Sequence, residues 1–120
     1  MLKVTLADRP EFVAGDHTHL REIFHPAKQH LALNYSLAHG RLPAGQRSKR
    51  HVLASAEVYY FLSGLGRFTV GGQVVQVEAG TTVYVAPGEE QSLENTGVVE
   101  IAFLCLVDPA WRQEDERVLE

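Results

Sequence analysis

Cysteine is almost missing from this chain. Cys105 is the only one in 120 residues, which excludes an internal disulfide framework and a cysteine-rich zinc site. It lies in the apolar run 101–107, where a lone thiol reads as a small buried hydrophobe. Long apolar stretches are also missing. The longest, 98–107, is interrupted by Glu100 and is too short to span a bilayer. No apolar leader is expected, because Lys3, Asp8, Arg9 and Glu11 break up the start. Basic charge is not in excess either: 11 Lys and Arg stand against 15 Asp and Glu, a formal net charge of −4. Such a balance gives no global pull toward nucleic acid or a membrane. There is no phosphate-cradling glycine loop, no Cys-x-x-Cys, and no Ser-His-Asp or Cys-His arrangement. Gly64-Leu65-Gly66 is too short for a dinucleotide fingerprint. What remains is ordinary globular composition, 45% hydrophobic and 22% charged, at the length of one domain. A cytoplasmic protein is expected.

What is present is a series of short β-type segments rich in Val, Tyr, Phe and Thr. Strands are predicted at 3–6, 18–24, 31–42, 50–53, 58–62, 66–70, 73–77, 82–85, 91–94 and 98–107. Turn residues interrupt them at the spacing of an all-β sandwich or barrel. Gly71-Gly72 reads as a two-residue hairpin turn, and Ala79-Gly80 and Pro87-Gly88 punctuate the next segments. A single short helix is expected at 111–119, after Asp108-Pro109. Segment 98–107 is apolar on both alternating faces apart from Glu100, so both faces should be covered. Either the C-terminal segment around Trp111 or a second subunit would cover the outer one, and a homodimer is expected.

Six histidines stand at 17, 19, 25, 30, 39 and 51. His17 and His19 would share a strand face as a metal hook, or read more simply as an exposed N-terminal strand. His25 and His30 read as loop residues, and His39 as a core histidine on the 31–42 strand or as a ligand. Arg41, Arg47, Lys49 and Arg50 crowd into ten positions. They would steer an anionic substrate or, more simply, solvate a loop. With no aromatics interleaved, a nucleic-acid groove is not expected.

The informative stretches are 45–64, GQRSKRHVLASAEVYYFLSG, and 80–95, GTTVYVAPGEEQSLEN. Gly45, His51, Leu53, Glu57 and Gly64 reproduce the first motif of the cupin superfamily, with leucine in place of its second histidine. Gly80, Ala86, Gly88, Gln91 and Asn95 fall on the second motif, with Gln91 in place of its histidine. The chain therefore resembles a small cupin. The resemblance implies one domain over 1–120: N-terminal strands to 30, at a dimer interface, then a jelly-roll β-barrel over 31–107 and a tail over 108–120.

The family's fold implies one divalent metal held by three histidines and a glutamate. Here the implied set is His51, Glu57 and Gln91, with His39 as the fourth nominee. Iron, manganese, zinc, nickel and copper are all candidates. Leucine cannot ligate, and a neutral amide oxygen is a weaker ligand than imidazole for a transition metal. Strand parity puts Glu57, Tyr59 and Phe61 on one face, so Tyr59, Phe61 and Leu53 would line an apolar pocket for a small molecule. Two functions compete. One is a metal-dependent enzyme of dioxygenase, isomerase or decarboxylase type, in which Tyr59 positions a proton. The other is a metal-free binding or sensor barrel in which Glu57 pairs with His51, or an accessory protein with no activity.

Overall fold

Alternation along the strands sets the layers. In Ile101–Asp108 (β10), Ile101, Phe103, Cys105 and Val107 are buried while Ala102, Leu104 and Leu106 are half-buried. This is the two-residue period of a strand whose faces meet different surroundings. The same period runs through Ala56–Ser63 (β5), where Glu57, Tyr59 and Phe61 turn inward. The computed structural model describes residues Met1 to Glu120 and arranges these strands in two antiparallel sheets. One has six strands in the order Glu11–Val13 (β1), His19–Phe24 (β2), Ser36–Leu42 (β3), β10, β5 and Thr82–Val85 (β8). The other has five: Glu116–Val118 (β11), His51–Leu53 (β4), Glu90–Asn95 (β9), Gly66–Val70 (β6) and Gln73–Val77 (β7). The chain crosses between sheets repeatedly from β3 to β11, the winding of a jelly roll.

The all-β jelly roll expected from the sequence is present, with one correction. The sheets do not close into a barrel, and β1, β8, β7 and β11 remain as edges. Between the sheets lies one core of 12 buried residues. Tyr59 sits at its centre, with ring centroids 4.9 Å from Phe68 and 5.3 Å from Phe103. Gly40 on β3 has no alternative there, since a Cβ would lie 2.2 Å from the Phe103 ring. The hairpin at Gly71-Gly72 forms as expected, with φ of +56° and +82°.

Three further expectations change. Segment 3–6 is not a strand; a 3-10 turn at Leu6–Asp8 follows it, and β1 begins only at Glu11. The strand expected over 31–42 starts at Ser36, after one helical turn at Pro26–Gln29 (α1). Pro26 presets φ for that turn, and His25 caps it, its Nδ1 accepting from the Ala27 N–H at 3.2 Å. The C-terminal helix is absent. A 3-10 turn at Gln113–Asp115 leads into β11, which pairs with β4. A nine-residue helix is marginal alone, whereas β4 presents an open edge whose hydrogen bonds need a partner. No helix is long and apolar enough to cross a membrane.

Candidate functional site

A cavity of about 290 Å³ lies between the sheets, walled by the inward faces of β2, β3, β5 and β10 and closed by β4, β11 and the β1–β2 turn. Its apolar walls include Leu20, Ala38, Phe103, Val107 and Trp111, and its polar end carries Asp16, His51, Glu57 and Glu116.

The inward parity of β5 brings Glu57 and Tyr59 to this cavity, while Gln91 reaches them from β9. The Tyr59 hydroxyl donates to Gln91 Oε1 at 2.7 Å, and Gln91 Nε2 donates to Glu57 Oε1 at 2.8 Å. Burial pushes the Tyr59 hydroxyl well above its ordinary value, with the Glu57 charge adding to the effect, so Tyr59 keeps its proton to donate. That fixes which end of the Gln91 amide faces which neighbour. Burial likewise raises Glu57, against the opposing hydrogen bond from Gln91 and the nearby His51. The Cys105 thiol beside it is pushed well up by burial and by the Glu57 charge.

His51 is fixed from the other side. Its Nδ1 lies 3.0 Å from the Lys49 carbonyl oxygen. A carbonyl only accepts, so Nδ1 carries the proton, and in the neutral ring Nε2 is left as an acceptor. Nε2 faces Asp16 Oδ2 at 3.7 Å, beyond hydrogen-bond distance. Asp16 is held by its own turn: Oδ1 accepts from Thr18 N at 3.0 Å and Thr18 Oγ1 at 2.6 Å. The Lys49 N–H donates to the Asp16 carbonyl at 2.7 Å and ties that turn to the approach to β4.

The structure brings together His51, Glu57, Gln91 and Tyr59 and leaves out three other candidates. His39 points to the outer face of the six-stranded sheet, opposite Arg21 and Leu104. Burial and the Arg21 charge lower its proton affinity there. It cannot reach His51, because neighbouring inward positions on β3 are Ala38 and Gly40. Leu53 and Phe61 are core residues, 3% and 1% exposed, and do not line the cavity. The hook at 17–19 does not form either. His17 sits exposed at a turn with φ of +76°, and His19 lies near Glu11 and Arg41.

The family's metal therefore does not fit these residues. Leu53 offers no donor, both atoms of the Gln91 amide are hydrogen-bonded within the site, and nowhere do three His, Cys, Asp or Glu side chains converge as ligands would.

Asp16, Glu116 and Trp111 were not nominated by the sequence. Trp111 donates its backbone N–H to Ser36 Oγ at 2.9 Å and its indole N–H to Glu116 Oε2 at 3.1 Å. It thus spans the sheets as a wall of the cavity. The basic cluster at 41–50 faces elsewhere. Arg41 pairs with Glu11 and Glu100, Arg47 with Glu120, and Arg50 with Glu90. Lys28 is the one basic chain besides His51 that lines the cavity, and its Nζ is 2.8 Å from Glu22 Oε1.

Comparison with known proteins adds three likenesses. The uncharacterized protein MJ1618 of Methanocaldococcus jannaschii is 32% identical over 110 residues, 91% of this chain and 87% of that one. An oxalate-binding protein of Thermotoga maritima is 39% identical over 51 residues, covering 42% of each chain. A crystal structure of a predicted oxalate decarboxylase, also from Thermotoga maritima, superposes with a TM-score of 0.79 at 23% identity, covering 90% of this chain and 99% of that one. The cupin domain family matches residues 38–107, more than half of the sequence and both motif regions. The chain belongs to the cupin family.

Proposed function

We propose that this cupin binds a small organic molecule in the cavity between its sheets, with no metal at the family's position. The observation that carries the reading is the hydrogen-bonded chain Tyr59–Gln91–Glu57, which occupies the place of two family ligands and uses the donors and acceptors that face the metal position. A mostly apolar cavity with a few convergent polar groups is the usual form of a small-molecule site. Acid–base chemistry on a bound molecule is available to His51 Nε2, which faces the cavity with its other nitrogen anchored. The protein works as a homodimer, because the outer face of the six-stranded sheet carries exposed Tyr60, Leu62 and Tyr84 with no covering segment. It resides in the cytoplasm, where the free thiol of Cys105 stays reduced.

The test is elemental analysis of tag-free protein purified without chelator and then offered iron, manganese, zinc, nickel and copper. Well below one equivalent per chain, with a melting temperature indifferent to chelator, is the expected result. Near one equivalent, lost in His51→Ala and in Glu57→Ala, overturns the reading and restores a metal-dependent enzyme of dioxygenase, isomerase or decarboxylase type.

A further inference from the structure

The polar end of the cavity is unusual in what it lacks. Four carboxyl side chains, Asp16, Glu22, Glu57 and Glu116, line the cavity, Glu57 with its proton held by burial more firmly than usual, and the one lysine there is tied to Glu22. The arginines of the 41–50 cluster are engaged with carboxylates outside. An anion such as oxalate would enter a field of its own sign, with no unpaired guanidinium or ammonium among the residues that line the cavity.

The hydrogen-bond inventory points the same way. His51 is 4% exposed, its Nδ1–H is spent on the Lys49 carbonyl, and its Nε2 has no hydrogen-bond partner. Beside it, Asp16 Oδ2 is an acceptor too, since Oδ1 already serves Thr18. In the neutral ring these are two acceptors 3.7 Å apart, both at the cavity and with no donor between them. Both acceptors open onto the cavity, where water or the N–H of a bound molecule can donate to them. A group with two or three N–H bonds satisfies both at once; a hydroxyl satisfies one. The walls add Phe12, Phe103 and Trp111, and aromatic faces attract organic cations.

From the paired acceptors, the negative lining and the aromatic walls, we infer that the ligand is a small organic amine, bound as its ammonium. The N–H groups bridge His51 Nε2 and Asp16 Oδ2, and the apolar body lies against Trp111 and Phe103. The inference rests on the metal-free binding reading above and narrows it to a ligand class.

The test is titration of the tag-free protein with four probes, benzylamine, benzyl alcohol, benzoate and oxalate, in wild type, Asp16→Asn and Glu116→Gln. Asn at position 16 keeps an oxygen for Thr18 but puts an N–H donor where Oδ2 faced His51 Nε2, so it removes the charge and one of the paired acceptors together. Benzylamine is expected to bind about tenfold or more tightly than benzyl alcohol, with the two anions weakest, as a charge-assisted bond predicts. Asp16→Asn should weaken benzylamine roughly tenfold and benzyl alcohol by less. Glu116→Gln should weaken benzylamine in the same direction, which keeps the test open if Asp16→Asn fails to fold. Benzoate or oxalate binding as tightly as benzylamine overturns the inference, as does no benzylamine binding at millimolar concentration. Equal affinity for amine and alcohol removes the ammonium while leaving a metal-free pocket in place. A bound transition metal, read separately by elemental analysis, is what defeats the underlying reading.

Discussion

Leu53 and Gln91 decide the chemistry of the family's metal position, and both are visible in the sequence because each interrupts a fixed spacing. Their substitution is reversible in principle. A Leu53→His/Gln91→His double variant restores two imidazoles beside His51 and Glu57, and it is expected to take up a transition metal toward one equivalent where the parent takes up little. Elemental analysis checks this, with circular dichroism confirming that a polar ring at the buried position 53 still permits folding. Glu57 carries a pH signature. Its folded-state value lies above the ordinary 4.5 because the carboxyl is buried. Below pH 4.5 it is protonated folded or unfolded and has no effect on stability. As pH rises past 4.5 the unfolded chain ionises first, so stability falls until the folded carboxyl ionises too. Glu57→Gln abolishes that loss, so its melting temperature should gain on wild type with rising pH above about 4.5 and then hold a constant lead. Melting curves across pH read this directly, and a difference that does not change with pH contradicts it. The partners of this network were less legible. His51 and Glu57 lie on a motif, but Asp16 meets His51 only because Lys49 N–H holds the Asp16 carbonyl across the fold. No local pattern announces such a contact.

Among elements, the C-terminal strand shows what pattern reading can and cannot give. The central strands were legible because β5 and β10 are eight-residue runs dense in apolar and aromatic side chains and bounded by turn residues. β11 spans three residues, Glu116-Arg117-Val118, too few for a period to register. Its conformation comes from β4, and the end is clamped from outside: Leu119 N–H donates to the Arg50 carbonyl, and Glu120 accepts from Arg47 and from the Arg50 N–H. Those donors pull the Glu120 carboxyl down to about 2. The segment also delivers Trp111 and Glu116 to the cavity, so it belongs to the site as much as to the sheet. A chain ending at Ala110 is expected to lose ligand binding, melt at lower temperature and associate through the bared β4 edge. Thermal denaturation and sedimentation of the shortened protein check this. Since Trp111 is the only tryptophan and lines the cavity, intrinsic fluorescence of the full chain should change saturably as benzylamine fills it.

At the scale of the whole molecule, one surface remains without a partner. The sequence shows that β10 is apolar on both faces and leaves two ways to cover the outer one. The structure removes the first, because Trp111 and the tail turn to the cavity and to β4, away from that face. Leu104 and Leu106 stand there beside Leu37, Val58 and Tyr60, and Tyr84 extends the row on β8 at 64% exposure. The apolar outward positions Leu37, Ala102, Leu104, Leu106, Val58, Tyr60, Leu62 and Tyr84, at about 4.8 Å between strands and about 6.8 Å between same-face neighbours, present roughly 260 Å² in projection. That is about a third of the roughly 800 Å² each partner gives up in a stable complex, before side-chain relief and a polar rim including His39 and Arg41 are added. The N-terminal segment is occupied along β2, where Arg21 holds the carbonyls of Leu6, Ala7 and Arg9, so it does not extend over β5 and β8. We propose a second copy as the occupant, since a face that is apolar at its centre can meet itself about a two-fold axis. Light scattering should give twice the 13.3 kDa chain mass, and Tyr60→Glu with Tyr84→Glu should return it to one. Both side chains point away from the cavity, so the monomeric variant should still bind benzylamine with wild-type affinity. A concentration-independent monomer in the unmodified protein sinks the dimer and leaves the exposed face to be explained by some other contact.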